Sequence, residues 1–159
     1  MKKILIIFVM LFSISNLNAV AFGAQAPNFI STTIDGNQIS LEQYKGKKAV
    51  WIVFWATWCP YCEKEIENLK KLYKNHNDKV EIIAINVTFK DSLEKTKNYI
   101  KKHNLPYKVV FDGDIAKQYA VRGIPFQVVI NKDGKVVEKR SKVPGDITEK
   151  ELDTLLKGE

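Results

Sequence analysis

Seven consecutive apolar residues, Ala49-Val50-Trp51-Ile52-Val53-Phe54-Trp55, end four residues before Cys59. A run rich in β-branched and aromatic residues, apolar at every position, predicts a central strand covered on both faces. A helix follows at once. Pro60 suits a first helical turn, where its missing N–H is not needed. Ile66, Leu69, Leu72 and Tyr73 then recur at helical spacing and predict a core-facing stripe. The junction between strand and helix is Trp58-Cys59-Pro60-Tyr61-Cys62, so the chain's two cysteines both sit there.

That placement carries chemistry. A structural disulfide stabilises most when it closes a long loop, and two intervening residues close a very short one. The same spacing suits redox exchange, in which one thiol attacks a partner disulfide and the other resolves the mixed disulfide. Zinc needs about four ligands, and here there is one cysteine pair and two distant histidines, so no metal site is expected. A sulfur at a helix N-terminus meets free N–H groups and the positive end of the dipole. Both favour thiolate over thiol. Cys59 is therefore read as the nucleophile. Cys62, inside the first turn, is read as the less exposed resolving thiol.

The rest of the chain alternates strands and helices. Asn28–Ile34 and Gln38–Ser40 flank the turn at Asp35-Gly36, and Leu41–Tyr44 predicts a helical turn ended at Gly46. Val80–Val87 and Tyr107–Phe111 read as strands, Leu93–Lys102 as an amphipathic helix capped by Asp91 with Glu94, and Asp114–Ala120 as a short helix. Phe126–Ile130 and Lys135–Lys139 flank Lys132-Asp133-Gly134 as a hairpin. Thr148 with Glu151 forms a capping box for a last helix. His76 and His103 are expected at helix ends on the surface. Trp51, Trp55, Phe89, Tyr99 and Tyr119 are expected in the core. The pattern predicts one α/β domain around a mixed sheet, with no repeats and no interdomain linker.

The N-terminus has a different character. Lys2 and Lys3 precede the nine apolar residues Ile4–Phe12, which is too short for a membrane-spanning helix of about 20 residues. With the small residues of Ala19-Val20-Ala21 behind it, the segment reads as a signal peptide over residues 1–21. Cleavage is expected before Phe22, with Ala19 and Ala24 as other positions and an uncleaved anchor as the alternative. The domain would then be 22–159. The formal charge of +7 comes from scattered lysines without an Arg-rich or basic–aromatic run, so no nucleic-acid surface is expected.

The segment Val53-Phe54-Trp55-Ala56-Thr57-Trp58-Cys59-Pro60-Tyr61-Cys62 resembles the active-site segment of the thioredoxin superfamily, in wording nearest its exported TlpA/ResA-like branch. Glu65, Gly123-Ile124-Pro125 and Asn131-Lys132-Asp133-Gly134-Lys135 match further features of that branch, as does the strand–helix segment from Val80 to about Phe111. The likeness covers about residues 27–158. It implies a thioredoxin fold: a central mixed sheet flanked by helices, an N-terminal β-hairpin and an inserted strand–helix segment. It also implies a cis Pro125 beside the cysteines, which would turn the Ile124 backbone outward to pair with substrate. Glu65 would move protons near Cys62. Trp58 would be a partly exposed lid, and Trp58, Pro60, Tyr61, Ile124 and Pro125 would face the substrate. Two positions depart from known patterns. Val53 stands where thioredoxin keeps a buried Asp. Phe126 stands where members devoted to cytochrome c maturation often carry Glu.

The expectation is an extracytoplasmic thiol–disulfide oxidoreductase that needs no cofactor. It would act as a monomer on protein thiol or disulfide substrates, with a membrane or periplasmic redox partner. The resemblance favours a reductase, with cytochrome c maturation as one setting. An oxidase or isomerase is the alternative, and a Sco-like copper chaperone on the same fold is a more distant one. That chaperone would want three residues between its cysteines and a downstream His. This chain has two intervening residues and no His after His103.

Overall fold

The computed structural model describes residues 20–142 and 147–157. The Ile4–Phe12 run and Ala19 lie outside the described residues, and so does most of the segment read as a signal peptide. The elements are β1 (Ile30–Thr32), β2 (Gln38–Ser40), a 3-10 turn (Glu42–Tyr44), β3 (Ala49–Trp55) and α1 (Pro60–His76). They continue with β4 (Val80–Asn86), α2 (Leu93–His103), β5 (Lys108–Phe111), α3 (Gly113–Gln118), β6 (Phe126–Ile130), β7 (Val136–Arg140) and α4 (Glu149–Lys157).

Five strands form one mixed sheet in the order β5-β4-β3-β6-β7. The apolar run becomes β3, in the middle, parallel to β4 and antiparallel to β6. All seven of its residues are buried. Successive side chains in a strand point to opposite faces, so the run feeds two cores. Ala49, Trp51, Val53 and Trp55 join Cys59, Cys62, Leu69 and Leu72 on the α1 face. Val50, Ile52 and Phe54 join Phe29, Ile83, Ile85 and Ile115 on the other. This is the thioredoxin fold, with the β1–β2 hairpin added at its N-terminus.

Unpaired sheet edges invite aggregation, and here other segments cover both. The hairpin reaches β5 through Ile34 N–H, which donates to the Val109 carbonyl at 2.8 Å. Residues 23–26 run along β7, with Gly23 N–H on the Val136 carbonyl and Val136 N–H on the Ala24 carbonyl. Val20, just before them, is buried, and its carbonyl accepts from Lys139 Nζ at 2.8 Å.

Some elements differ from expectation. β1 is shorter than Asn28–Ile34, because Asn28 and Phe29 are tied to the turn after β2. Asn28 Oδ1 accepts from Glu42 N–H, and the Phe29 carbonyl from Leu41 N–H. The cap of α2 is Ser92, whose Oγ accepts from Lys95 N–H at 3.2 Å; Asp91 turns elsewhere. The box at α4 forms as expected, with Glu151 N–H on Thr148 Oγ1 and Thr148 N–H on Glu151 Oε2. His76 is not a surface residue. It is buried, with Nδ1 3.1 Å from Glu149 Oε1, because α4 folds back over the end of α1. Lys79 binds Glu149 and Asp153 at the same place.

Candidate active site

Cys59 is the N-cap of α1, with extended backbone angles (φ −90°, ψ 105°), and Pro60 starts the helix. The strand therefore delivers the sulfur to the point where the first helical N–H groups lack intrahelical partners. Cys59 Sγ accepts from Cys62 N–H at 3.2 Å. Cys59 and Cys62 are joined in a disulfide, their Cα atoms 5.2 Å apart. In this oxidised form both residues are buried, 4% and 6% exposed, so exposure does not rank them. Their positions differ: Cys59 caps the helix, and Cys62 lies within its first turn.

Cys62 lines a small cavity of about 20 Å³ with Val53, Trp55, Glu65, Tyr99 and Pro125. Glu65, one turn after Cys62 on α1, is buried at 8% exposure. It also lines the larger neighbouring groove, about 760 Å³, with Tyr61, Arg122, Ile124, Pro125 and Phe126. A carboxylate on a lysine-rich helix would ordinarily be solvated, and this one lines both the groove and the cavity that Cys62 lines. Val53 is the cross-strand neighbour of Gln127. Gln127 is fully buried and accepts from Trp51 Nε1 at 2.6 Å through Oε1. Burial, with a smaller contribution from the Glu63 charge, pushes the Tyr99 phenol up to about 12, so it stays protonated at neutral pH. Glu63 is on a different side of α1, 4.0 Å from His103 Nε2 and largely exposed.

The Ile124–Pro125 peptide bond is cis. Around the disulfide the surface is aromatic: Trp58 and Tyr61 are 46% and 67% exposed. Trp58 is therefore partly exposed. Phe89, expected in the core, is 62% exposed. It lies in the β4–α2 loop with its ring centroid 6.2 Å from that of Trp58, and its carbonyl accepts from Trp58 Nε1 at 2.7 Å. The residue that sequence reading missed is Asp91, whose carboxylate takes both the N–H and the hydroxyl of Thr57. A signal that could have found it is the Ser92 beside it, a residue type that can itself cap α2 and so leave Asp91 for another role. Among the described residues, no group of three or more His, Cys, Asp or Glu side chains could hold a metal ion.

The model of the AhpC/TSA family matches residues 22–139. The thiol-disulfide oxidoreductase ResA of Bacillus thuringiensis is 39% identical over 138 residues, 85% of this chain and 76% of the relative. ResA of Bacillus subtilis is 36% identical over 134 residues, covering 82% and 72%. Among solved structures, StoA from Bacillus subtilis superposes with a TM-score of 0.66 at 27% identity, covering 84% of this chain and 98% of that one. The thioredoxin domain of a thiol-disulfide oxidoreductase from Bacteroides vulgatus gives 0.70 at 26%, covering 86% and 96%. A strand-to-helix cysteine pair on a thioredoxin fold and relatives of this kind lead to one conclusion: the chain belongs to the AhpC/TSA family, among its ResA-like thiol-disulfide oxidoreductases, and its activity is exchange at Cys59 and Cys62.

Proposed function

We propose that the protein is an extracytoplasmic reductase of protein disulfides. The reductase direction rests on the likeness to ResA-type oxidoreductases. The observation that carries exchange at Cys59 is the cap of α1: the Cys59 sulfur accepts a helical N–H beside an open groove lined by Tyr61, Glu65, Ile124 and Pro125. In the reduced protein, Cys59 thiolate attacks one sulfur of a substrate disulfide, and the other substrate sulfur leaves and takes up a proton. Cys62 then loses its proton and attacks Cys59 Sγ. The second substrate thiol is released, and two electrons have moved from protein to substrate. Glu65 is the base that takes the Cys62 proton. Trp58, Pro60 and Tyr61 meet the substrate on one side, and the Ile124 backbone with Pro125 on the other. A membrane or extracytoplasmic dithiol partner returns the electrons.

Export through a cleaved signal peptide completes the reading. The buried Val20 and its bond to Lys139 favour processing after Ala19 over processing after Ala21, since the later cut would discard both. N-terminal sequencing of the exported protein distinguishes the two. Reductase activity is tested by insulin-disulfide reduction and by equilibration against glutathione. A reductase turns over insulin and equilibrates near −270 mV, whereas a value near −120 mV would make it an oxidant. Loss of insulin reduction together with stoichiometric Cu(I) binding would point to the copper chaperone instead.

A further inference from the structure

Residues 56–58 carry Cys59 away from β3 without regular structure, and the β4–α2 loop holds them. Asp91 Oδ2 accepts from Thr57 N–H at 2.7 Å and from Asn86 Nδ2 at 2.8 Å. Its Oδ1 accepts from the Thr57 hydroxyl at 2.8 Å and from Ser92 N–H at 3.0 Å. Trp58 is gripped by the same loop, through the Phe89 carbonyl. The loop is itself braced. Asn86 is fully buried, donates to Thr96 Oγ1 at 3.1 Å and accepts from Thr88 N–H at 2.8 Å. Gly113 presses so close that a Cβ there would lie 2.3 Å from Thr88 Oγ1. All four partners of Asp91 are donors. A carboxylate accepts from all of them, whereas an amide would aim its NH₂ at donors.

We propose that Asp91 is a positioning residue for Cys59: through Thr57 it holds the entry to α1 so that the Cys59 sulfur stays on the helical N–H groups. Stabilisation of an anion by a helix N-terminus falls away within the first turn, so a small displacement of this entry weakens the thiolate. The proposal rests on the exchange reading above. Removing Asp91 has two opposed effects on Cys59. Loss of a nearby negative charge favours the thiolate, and loss of the hold disfavours it. Thr57→Val separates them, since it deletes one bond to Asp91 and changes no charge.

The test is the pH dependence of iodoacetamide labelling of the reduced full-length protein, with the Cys59 adduct resolved by peptide mass and folding checked by circular dichroism. Asp91→Asn should raise the labelling midpoint and slow Cys59 labelling at pH 7 about threefold. Thr57→Val should move the midpoint the same way by less, and Thr57→Ser, which keeps the hydroxyl, should return it to the parent value. Asp112→Asn, at the N-cap of α3, should leave it unchanged. A lower midpoint in Asp91→Asn with a parent-like Thr57→Val would mean that Asp91 acts by charge, and overturns the proposal. So would parent values in both. If Asp91→Asn does not fold, the Thr57 pair decides alone. Labelling needs no protein substrate, so a failure of insulin reduction is a separate result.

Discussion

The two faces of the central sheet are built from alternate residues of the same strands and are chemically unlike. The face away from α1 is mostly aliphatic and aromatic, with Val50, Ile52, Phe54, Ile83, Ile85, Val110, Val128 and Ile130. Its buried acid, Glu81, is paired with Lys108 near the sheet edge at β5, away from the sulfurs. The α1 face holds the disulfide and buries polar groups that a purely structural core would avoid. Gln127 binds Trp51 there, Glu65 lies beside Cys62, and Trp55 Nε1 and Gln127 Nε2 are buried without a hydrogen-bond partner. Unpartnered buried polar atoms cost about 1–3 kcal/mol each. Such an atom occurs on the other face as well, at Tyr44, so the difference between the faces is that only the α1 face brings its polar groups to the sulfurs.

The sharpest way to break this comparison is to remove a sulfur. Cys59→Ser or Cys62→Ser should reduce insulin turnover to background while leaving the circular dichroism spectrum unchanged. Next in size is damage to the other face. Ile52→Ala, at a fully buried position, should cost about 2–5 kcal/mol in urea denaturation. It should leave the exchange rate per folded molecule at the parent value. A parent-like stability, or a loss of exchange without a loss of stability, would blur the division between the faces.

Much of this division was legible in the sequence, because it depends on local patterns. The unbroken apolar run could only be a doubly covered strand, and the Pro60 start placed Cys59 at a helix end. The lysine–aspartate–glycine turn and the Thr148–Glu151 box each carry their own geometry. What was not legible depends on contacts between distant segments. His76 looks like any helix-terminal residue until α4 brings Glu149 against it. Phe89 has the side chain of a core residue, and Thr88 and Lys90 on either side of it have positive φ, so the loop turns it outward to Trp58. Asp91 reads as a helix cap until Ser92 takes that role and Thr57, far away in sequence, supplies the donors. Glu65 was marked by family resemblance and by helical spacing, three residues after Cys62 and four before Leu69 on the buried face of α1, with Glu63 on the outward side.

A subtler perturbation of the α1 face compares those two acids. Glu65→Gln should lower the Cys59 labelling midpoint and change the pH dependence of insulin reduction, because it removes a negative charge and a proton acceptor beside Cys62. Glu63→Gln, on the exposed side toward His103, should give the parent profile. Identical titrations in both variants and the parent would leave Glu65 a structural residue.

The smallest expected effect is on stability in acid. Burial alone would raise the Asp91 carboxyl, but hydrogen bonds from Asn86, Thr57 and Ser92 outweigh it and hold the carboxyl below the usual carboxylate value. A depressed pKa contributes stability that is present above the unfolded value, about 3.9. It is lost as pH falls through the folded value. The parent should therefore lose stability relative to Asp91→Asn on going below about pH 4. Parallel urea curves for the two proteins from pH 5 to pH 3 would remove that contribution.

The division of labour between the two sulfurs is tested most directly by trapping. Reduced Cys62→Ser and Cys59→Ser variants are mixed with a disulfide-bonded protein substrate, quenched with acid, and mapped by non-reducing mass spectrometry. If Cys59 attacks and Cys62 resolves, mixed disulfides should accumulate with Cys62→Ser, linked through Cys59, and stay near background with Cys59→Ser. Equal or greater accumulation through Cys62 in the Cys59→Ser variant would contradict that assignment.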